Sequence, residues 1–185
     1  NQAQSPYPWQ AGVIWDLDRA KRMNQKMHEL GCYWLEEPRP RYNFDELSEL
    51  VSMNMTKISG GENNTVVSDF HEMVNKNSYD ILQPESMVMG GITPLIEIGE
   101  ISKKYNKEIV PHHGGGDLGV VAHMHLLATW NNAPYCEMLN DPPLSSYKNK
   151  FFIFNEDLNV KDGIINVPNT PGLGVTIKED LIIRE

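Results

Sequence analysis

Five times along this chain a short apolar run stops at one titratable residue, and the stops recur almost evenly. Trp34-Leu35 runs into Glu36, Ile58-Ser59-Gly60-Gly61 into Glu62, Ile81-Leu82-Gln83-Pro84 into Glu85, Ile109-Val110-Pro111 into His112, and Tyr135-Cys136 into Glu137. The separations are 26, 23, 27 and 25 residues. Between the stops, apolar residues recur at three- and four-residue steps, the period of a helix with one buried face. Strands alternating with helices in units of this size require a parallel sheet. Right-handed crossovers then either close the sheet into a barrel or leave it doubly wound. A polar residue at the carboxyl end of every strand favours the barrel, whose site is built on that face; an open sheet gathers its functional ends at one switch point.

The helices are predicted from their faces and stops. Leu17, Ala20, Met23, Met27 and Leu30 mark a helix from Asp16 to Leu30, ended by Gly31. Asn43 is expected to cap a helix bearing Phe44, Leu47, Leu50 and Val51, and Ser68 one bearing Phe70, Met73 and Val74. Thr93, followed by Pro94, is expected to cap a helix bearing Leu95, Ile96, Ile98 and Ile101, and a further helix runs from Leu118 to Trp130. Residues 1–15 read as a loop. Residues 1–139 therefore form a partial β/α barrel, and residues 140–185 break the period as a tail that packs back on the barrel or on another domain. Within the tail, Asp162-Gly163 between short apolar runs predicts a hairpin.

Composition limits the partners. A net charge of −9 over 185 residues opposes nucleic acid and anionic membrane surfaces, which want clustered Lys and Arg. There is no apolar span of roughly 18 residues. Cys32 and Cys136 sit in apolar runs and read as reduced core thiols of a cytoplasmic protein.

Carboxylates on neighbouring strand ends repel unless a cation sits between them. Glu36 and Glu62 lie on consecutive strands, and an oxygen-only pair suits Mg²⁺; two solvated rim acids are the alternative, which the regular spacing of five such stops disfavours. Alternation puts Glu36 and Glu37 on opposite sides of their strand, one in the barrel mouth and one towards the helices, and does not say which. Glu85 beside His112 makes an oriented imidazole suited to general acid or base work, with His113 as the competing ring. Glu137 completes the ring as an acid or hydrogen-bond donor. Gly114-Gly115-Gly116 suits an anion-cradling loop or an ordinary one. His71, His123 and His125 fall within helices and receive no chemical role.

Trp34-Leu35-Glu36-Glu37-Pro38, Gly61-Glu62, Gln83-Pro84-Glu85 with Gly90-Gly91-Ile92-Thr93, Pro111-His112, Glu137 and Pro171-Gly172-Leu173-Gly174-Val175 together resemble the enolase superfamily, in its mandelate racemase and muconate lactonizing enzyme-like branch. The resemblance implies the C-terminal part of a modified (β/α)₇β barrel, with a separate capping domain that these residues do not include. It implies Mg²⁺ held by three acids, of which Glu36 is the second and Glu62 the third. The first is an Asp expected just upstream of Asn1-Gln2, and Asn1 and His113 are expected to contact substrate. His112 matches the branch's catalytic His, Glu85 its dyad partner with Glu in place of the usual Asp, and Glu137 the acid that helps stabilise the enediolate; the Lys base is expected on an earlier strand. The implied reaction removes the proton α to a carboxylate, as a sugar-acid dehydratase or else as a racemase or epimerase of a 2-hydroxy acid. The expected partners are a small-molecule sugar acid and further copies of the chain in a homo-oligomer. By contrast, the isolated 185 residues are expected to be inactive, with a structural or binding role only.

Overall fold

The computed structural model describes residues 14–113, 117–143, 146 and 150–183. Asn1, most of the loop expected over residues 1–15 and the Gly114-Gly115-Gly116 run lie outside them. The order is α1 (Leu17–Glu29), β1 (Trp34–Glu36), α2 (Phe44–Ser52), β2 (Lys57–Gly60), α3 (Val67–Asn75), β3 (Ile81–Leu82), α4 (Ser86–Met89), α5 (Ile92–Lys104), β4 (Glu108–Ile109) and α6 (Asp117–Leu127), with a 3₁₀ turn at Glu179–Leu181. The strands form one parallel sheet in the order β1-β2-β3-β4.

Register decides what each strand face carries. Leu35 pairs with Ile58, and Leu82 with both Gly60 and Ile109. Leu35, Ile58, Leu82 and Ile109 turn to the helices and join Leu47, Leu50, Phe70, Met73, Leu95 and Ile98 in one core. Glu36, Ser59 and Ile81 are aligned on the opposite face. Asn24 of α1 latches this layer to the sheet. Its Nδ2 donates to Leu50 O at 3.3 Å, and its Oδ1 accepts from Thr56 N at 3.1 Å, so a fully buried amide is satisfied at both ends. A smaller cluster joins Val120, Val121 and Met124 of α6 to Phe151 and Phe154 of the tail. Asp162 (φ 51) and Gly163 (φ 76) make the tight turn there, closed by reciprocal 2.9 Å bonds between Lys161 and Ile164.

Several local expectations need correction. Asn43 does cap α2, accepting from Glu46 N at 3.4 Å; Asp16, expected as the first residue of the first helix, instead caps α1 by accepting from Arg19 N at 2.7 Å. Ser68 does not cap α3: the helix starts at Val67 from the extended Val66, and Asn64 donates to Asp69 of its first turn at 2.8 Å instead. Nor does Thr93 cap α5. Gly90 (φ 87) and Gly91 (φ 115) turn the chain directly out of α4, so α5 begins at Ile92 and Thr93-Pro94 fall inside its first turn. Proline is tolerated there because its missing N–H would have no intrahelical partner anyway.

Cys136 lies in no strand. Pro134 has no N–H to donate, and Tyr135 instead packs its ring 5.4 Å from that of Tyr33 and 6.0 Å from that of Trp34. Five expected strands are therefore four among the described residues. Both cysteines are free; Cys32 is exposed, in the turn before β1, and is not a core thiol, while Cys136 is half-buried and packs against the smaller apolar cluster.

Candidate functional site

β1 delivers two adjacent acids and the backbone separates them. Glu36 stays on the face of Ser59, where its Oε2 accepts from Gln83 Nε2 at 3.1 Å. Glu37 takes φ 38, a left-handed value uncommon outside glycine, and is fully buried. Its Oε1 lies 3.4 Å from Gly61 N and 3.8 Å from Arg41 Nε. Burial, joined by the charge of Glu62, pushes Glu37 up to about 7 against the opposing Arg41. The choice left open by alternation is thus settled: Glu36 faces the mouth, and Glu37 sits beneath it.

β2 reaches Glu62 through Gly60 and Gly61. A Cβ on Gly61, whose φ is +117, would lie 2.9 Å from Phe70 Cε1, so both backbone angle and space demand glycine. Burial raises the Glu62 pKa; the nearby Glu36 charge and a hydrogen bond between the two carboxyl groups add to this, and His112 opposes it. Two carboxyl groups close enough to share a proton make an oxygen-only pair that fits a hard divalent cation.

Glu85 uses its two oxygens differently. Oε1 caps α4, accepting from Met87 N at 3.0 Å and Ser86 Oγ at 3.4 Å. Oε2 faces His112 Nδ1 at 3.5 Å and His113 Nδ1 at 3.7 Å. Burial alone would raise the Glu85 pKa, but the hydrogen bond from His112 and the Met87 amide lead the effects that outweigh it and hold Glu85 below the ordinary carboxylate value. His112 is the bridge of the site. Its amide donates to Pro84 O at 3.1 Å, fixing β4's end to β3's, and its Nε2 lies 3.1 Å from Glu62 Oε2. Burial alone would lower its pKa, but Glu85, Glu62, Glu137 and Glu36 raise it to about 9. Burial likewise pushes Glu137 up to about 7, with Glu36 and Glu62 adding and His112 opposing, and its Oε2 has no hydrogen-bond partner among the described residues.

The structure therefore brings Glu36, Glu62, Glu85, His112 and Glu137 to one end of the sheet. His113 belongs to the next layer down: it is 2% exposed, packed behind Glu85 against Gly119. His123, given no role from sequence, stands in that layer too, its Nε2 3.5 Å from Glu85 Oε1 and accepting from Ser86 N at 3.1 Å. A histidine flanked directly by the apolar residues Ala122 and Met124 was the available signal.

Donor atoms of Glu85, His113 and His123 lie within 4.8 Å of one another. A cation bound there through His123 Nε2 would take that lone pair from the Ser86 amide, leaving a buried N–H without its partner. Glu36 and Glu62 offer oxygen ligands with no such penalty. The Mg²⁺ expectation is consistent with that carboxylate pair and not with the histidine cluster.

Paired carboxyls and a carboxylate-oriented imidazole at the ends of successive parallel strands are an arrangement suited to acid–base chemistry. The family pattern described as "Enolase C-terminal domain-like" matches residues 9–181, and the chain belongs to the enolase superfamily, in its mandelate racemase and muconate lactonizing enzyme branch. Its four strands are part of that family's barrel. It is 29% identical to L-talarate/galactarate dehydratase of Salmonella typhimurium over 91% of this chain and 39% of the relative. It is 27% identical to a chloromuconate cycloisomerase of Delftia acidovorans over 91% of this chain and 45% of the relative. L-talarate dehydratase from Polaromonas sp. JS666, solved with Mg and L-glucarate, superposes with a TM-score of 0.77 at 27% identity, over 92% of this chain and 44% of that one. The chain thus spans less than half the length of these relatives.

Proposed function

We propose that the protein containing this chain is a Mg²⁺-dependent sugar-acid dehydratase, removing the proton α to a carboxylate and eliminating the β-hydroxyl as water. The observation that carries the reading is His112, held 3.1 Å from Glu62 and 3.5 Å from Glu85. An imidazole so placed is fixed in direction by one carboxylate and set beside the carboxylate pair that would hold the cation. Glu36 and Glu62 would hold Mg²⁺, which when bound supplies Lewis-acid stabilisation of charge developing on the substrate carboxylate.

His112, oriented by Glu85 and set beside the carboxylate pair, delivers a proton to the departing β-oxygen. The α C–H electron pair becomes the new C=C bond, the β C–O bond breaks, and the His112 proton completes the water; the enol product then tautomerises to a 2-keto acid. Glu137, with its pKa near 7, donates a hydrogen bond in its protonated form to a substrate carboxylate oxygen. The base that receives the α-proton is not assigned among the described residues.

Assay of the full-length protein on a panel of aldonic and aldaric acids, following 2-keto acid formation, tests the reading; racemisation or cycloisomerisation without dehydration would refute it. The likeness to a cycloisomerase favours an isomerase as the second reading, a racemase or epimerase in which His112 returns its proton to the α-carbon. Residues 1–185 alone are inactive in this view, and Mg²⁺-dependent turnover by the isolated chain would overturn that. A cytoplasmic homo-oligomer belongs to the same reading, and light scattering of the full-length protein checks its assembly.

A further inference from the structure

Glu85 does its work through direction. One oxygen must meet His112, and the carboxylate can hold that aim only if the peptide carrying it is fixed. Two devices fix it. The first is local: Glu85 Oε1 caps α4 by accepting from Met87 N at 3.0 Å. The second comes from α6, 37 residues away, where His123 Nε2 accepts the Ser86 amide at 3.1 Å. That amide belongs to the peptide that joins Glu85 to the turn, and it is the first of the orphan N–H groups that open a helix.

The approach of α6 is built for this contact. A Cβ on Gly119 would meet His113 Cε1 at 3.1 Å and Met87 Cγ at 3.2 Å, so α6 lies against both α4 and the imidazole layer. His113 and His123 pack edge to face, 5.9 Å apart and inclined at 76°. His123 is 1% exposed, and burial lowers its pKa to about 4, which keeps the lone pair available. A protonated ring would present an N–H to the Ser86 N–H and lose the bond.

We propose that His123 is a positioning residue for the proposed dehydration: by accepting the Ser86 amide it fixes the peptide that aims Glu85 at His112. This rests on the functional reading above in naming His112 as the group that moves the proton. An acceptor at this point is what matters, and the imidazole as such is not required. Glutamine, whose amide oxygen reaches about as far as Nε2, is therefore the conservative substitute, and leucine the disruptive one.

The test compares H123L and H123Q in the full-length protein, on whichever aldonic or aldaric acid the wild type dehydrates. In H123L, kcat per folded site falls by roughly 100-fold, the scale of an ångström-sized misplacement. KM and the Mg²⁺ affinity, by calorimetry, stay within about threefold, because the Glu36–Glu62 pair is untouched. H123Q recovers most of the lost kcat. A full kcat in H123L, or an H123Q variant no better than H123L at equal folded fraction, overturns the proposal. If the wild type dehydrates none of the acids, the functional reading fails by itself, and crystal structures of the two variants decide this one. Displacement of Glu85 Oε2 from His112 in H123L, restored in H123Q, supports it; an unmoved Glu85 in H123L overturns it.

Discussion

Replacing His123 with glutamine is expected to flatten the acid limb of the stability curve as well as to preserve the Ser86 bond. Burial is the main cause of the low pKa of His123; His113 and His112 add to it, and Glu85 opposes it, so the ring stays neutral down to about 4 against an ordinary 6.5. Above pH 6.5 neither the folded nor the unfolded chain protonates this residue, and it contributes nothing to pH dependence. Between 6.5 and 4 the unfolded chain takes up a proton that the folded one refuses, so acid favours unfolding. Below 4 both bind it and the difference is constant. The full difference, 2.5 pH units at about 1.4 kcal/mol each, is roughly 3 kcal/mol. Glu85, held below its ordinary value, stays ionised through most of this window and does not mask the effect. Glutamine does not titrate. Urea unfolding followed by tryptophan fluorescence should show the wild type losing about 2–3 kcal/mol relative to H123Q between about pH 7.5 and 4.5. Parallel pH profiles for the two proteins would refute a buried neutral His123.

E36Q and E62Q should each weaken Mg²⁺ binding by more than the roughly 10–100-fold that losing a partner behind a metal ligand costs, measured by calorimetry. H112N should lower turnover by about 10²–10⁴-fold, the usual contribution of one positioned acid or base, while Mg²⁺ binding persists. Gly60→Ala places a Cβ 2.5 Å from Tyr79 Cε1 and 2.9 Å from Glu37 Cγ. Since neither buried group can withdraw, it should destabilise by about 1–3 kcal/mol in urea unfolding, and G60A/Y79L should regain part of that loss.

What the sequence made legible follows the range over which each feature is determined. An apolar run ending in an acid is a local pattern, and four of the five runs are strands or lead directly from them in the structure. Their spacing is also local, because each helix must return the chain over a similar distance, so the parallel order could be read off. The fifth run failed for a local reason that was visible too, Pro134, which donates nothing to a ladder. The caps expected at Ser68 and Thr93 fell two residues late because backbone angles at Val66, Gly90 and Gly91 start the helices earlier.

The assignment of Glu36 and Glu37 needed more than one strand. Alternation sets them apart, but only the register with Ser59 and the φ of 38 at Glu37 say which one enters the mouth. His123 lies furthest from local reading: its partner is 37 residues distant, and nothing around it in α6 points to an amide on another helix. Glu36, Glu62, Glu85 and His112 were therefore legible because strand ends present them one at a time. A contact such as that of His123 with the Ser86 amide comes from a helix docked across the chain and appears only when that packing is in place. Glu85 joins the two ranges: one of its oxygens caps α4 and the other faces His112, while α6 supplies the acceptor for the amide of the next residue.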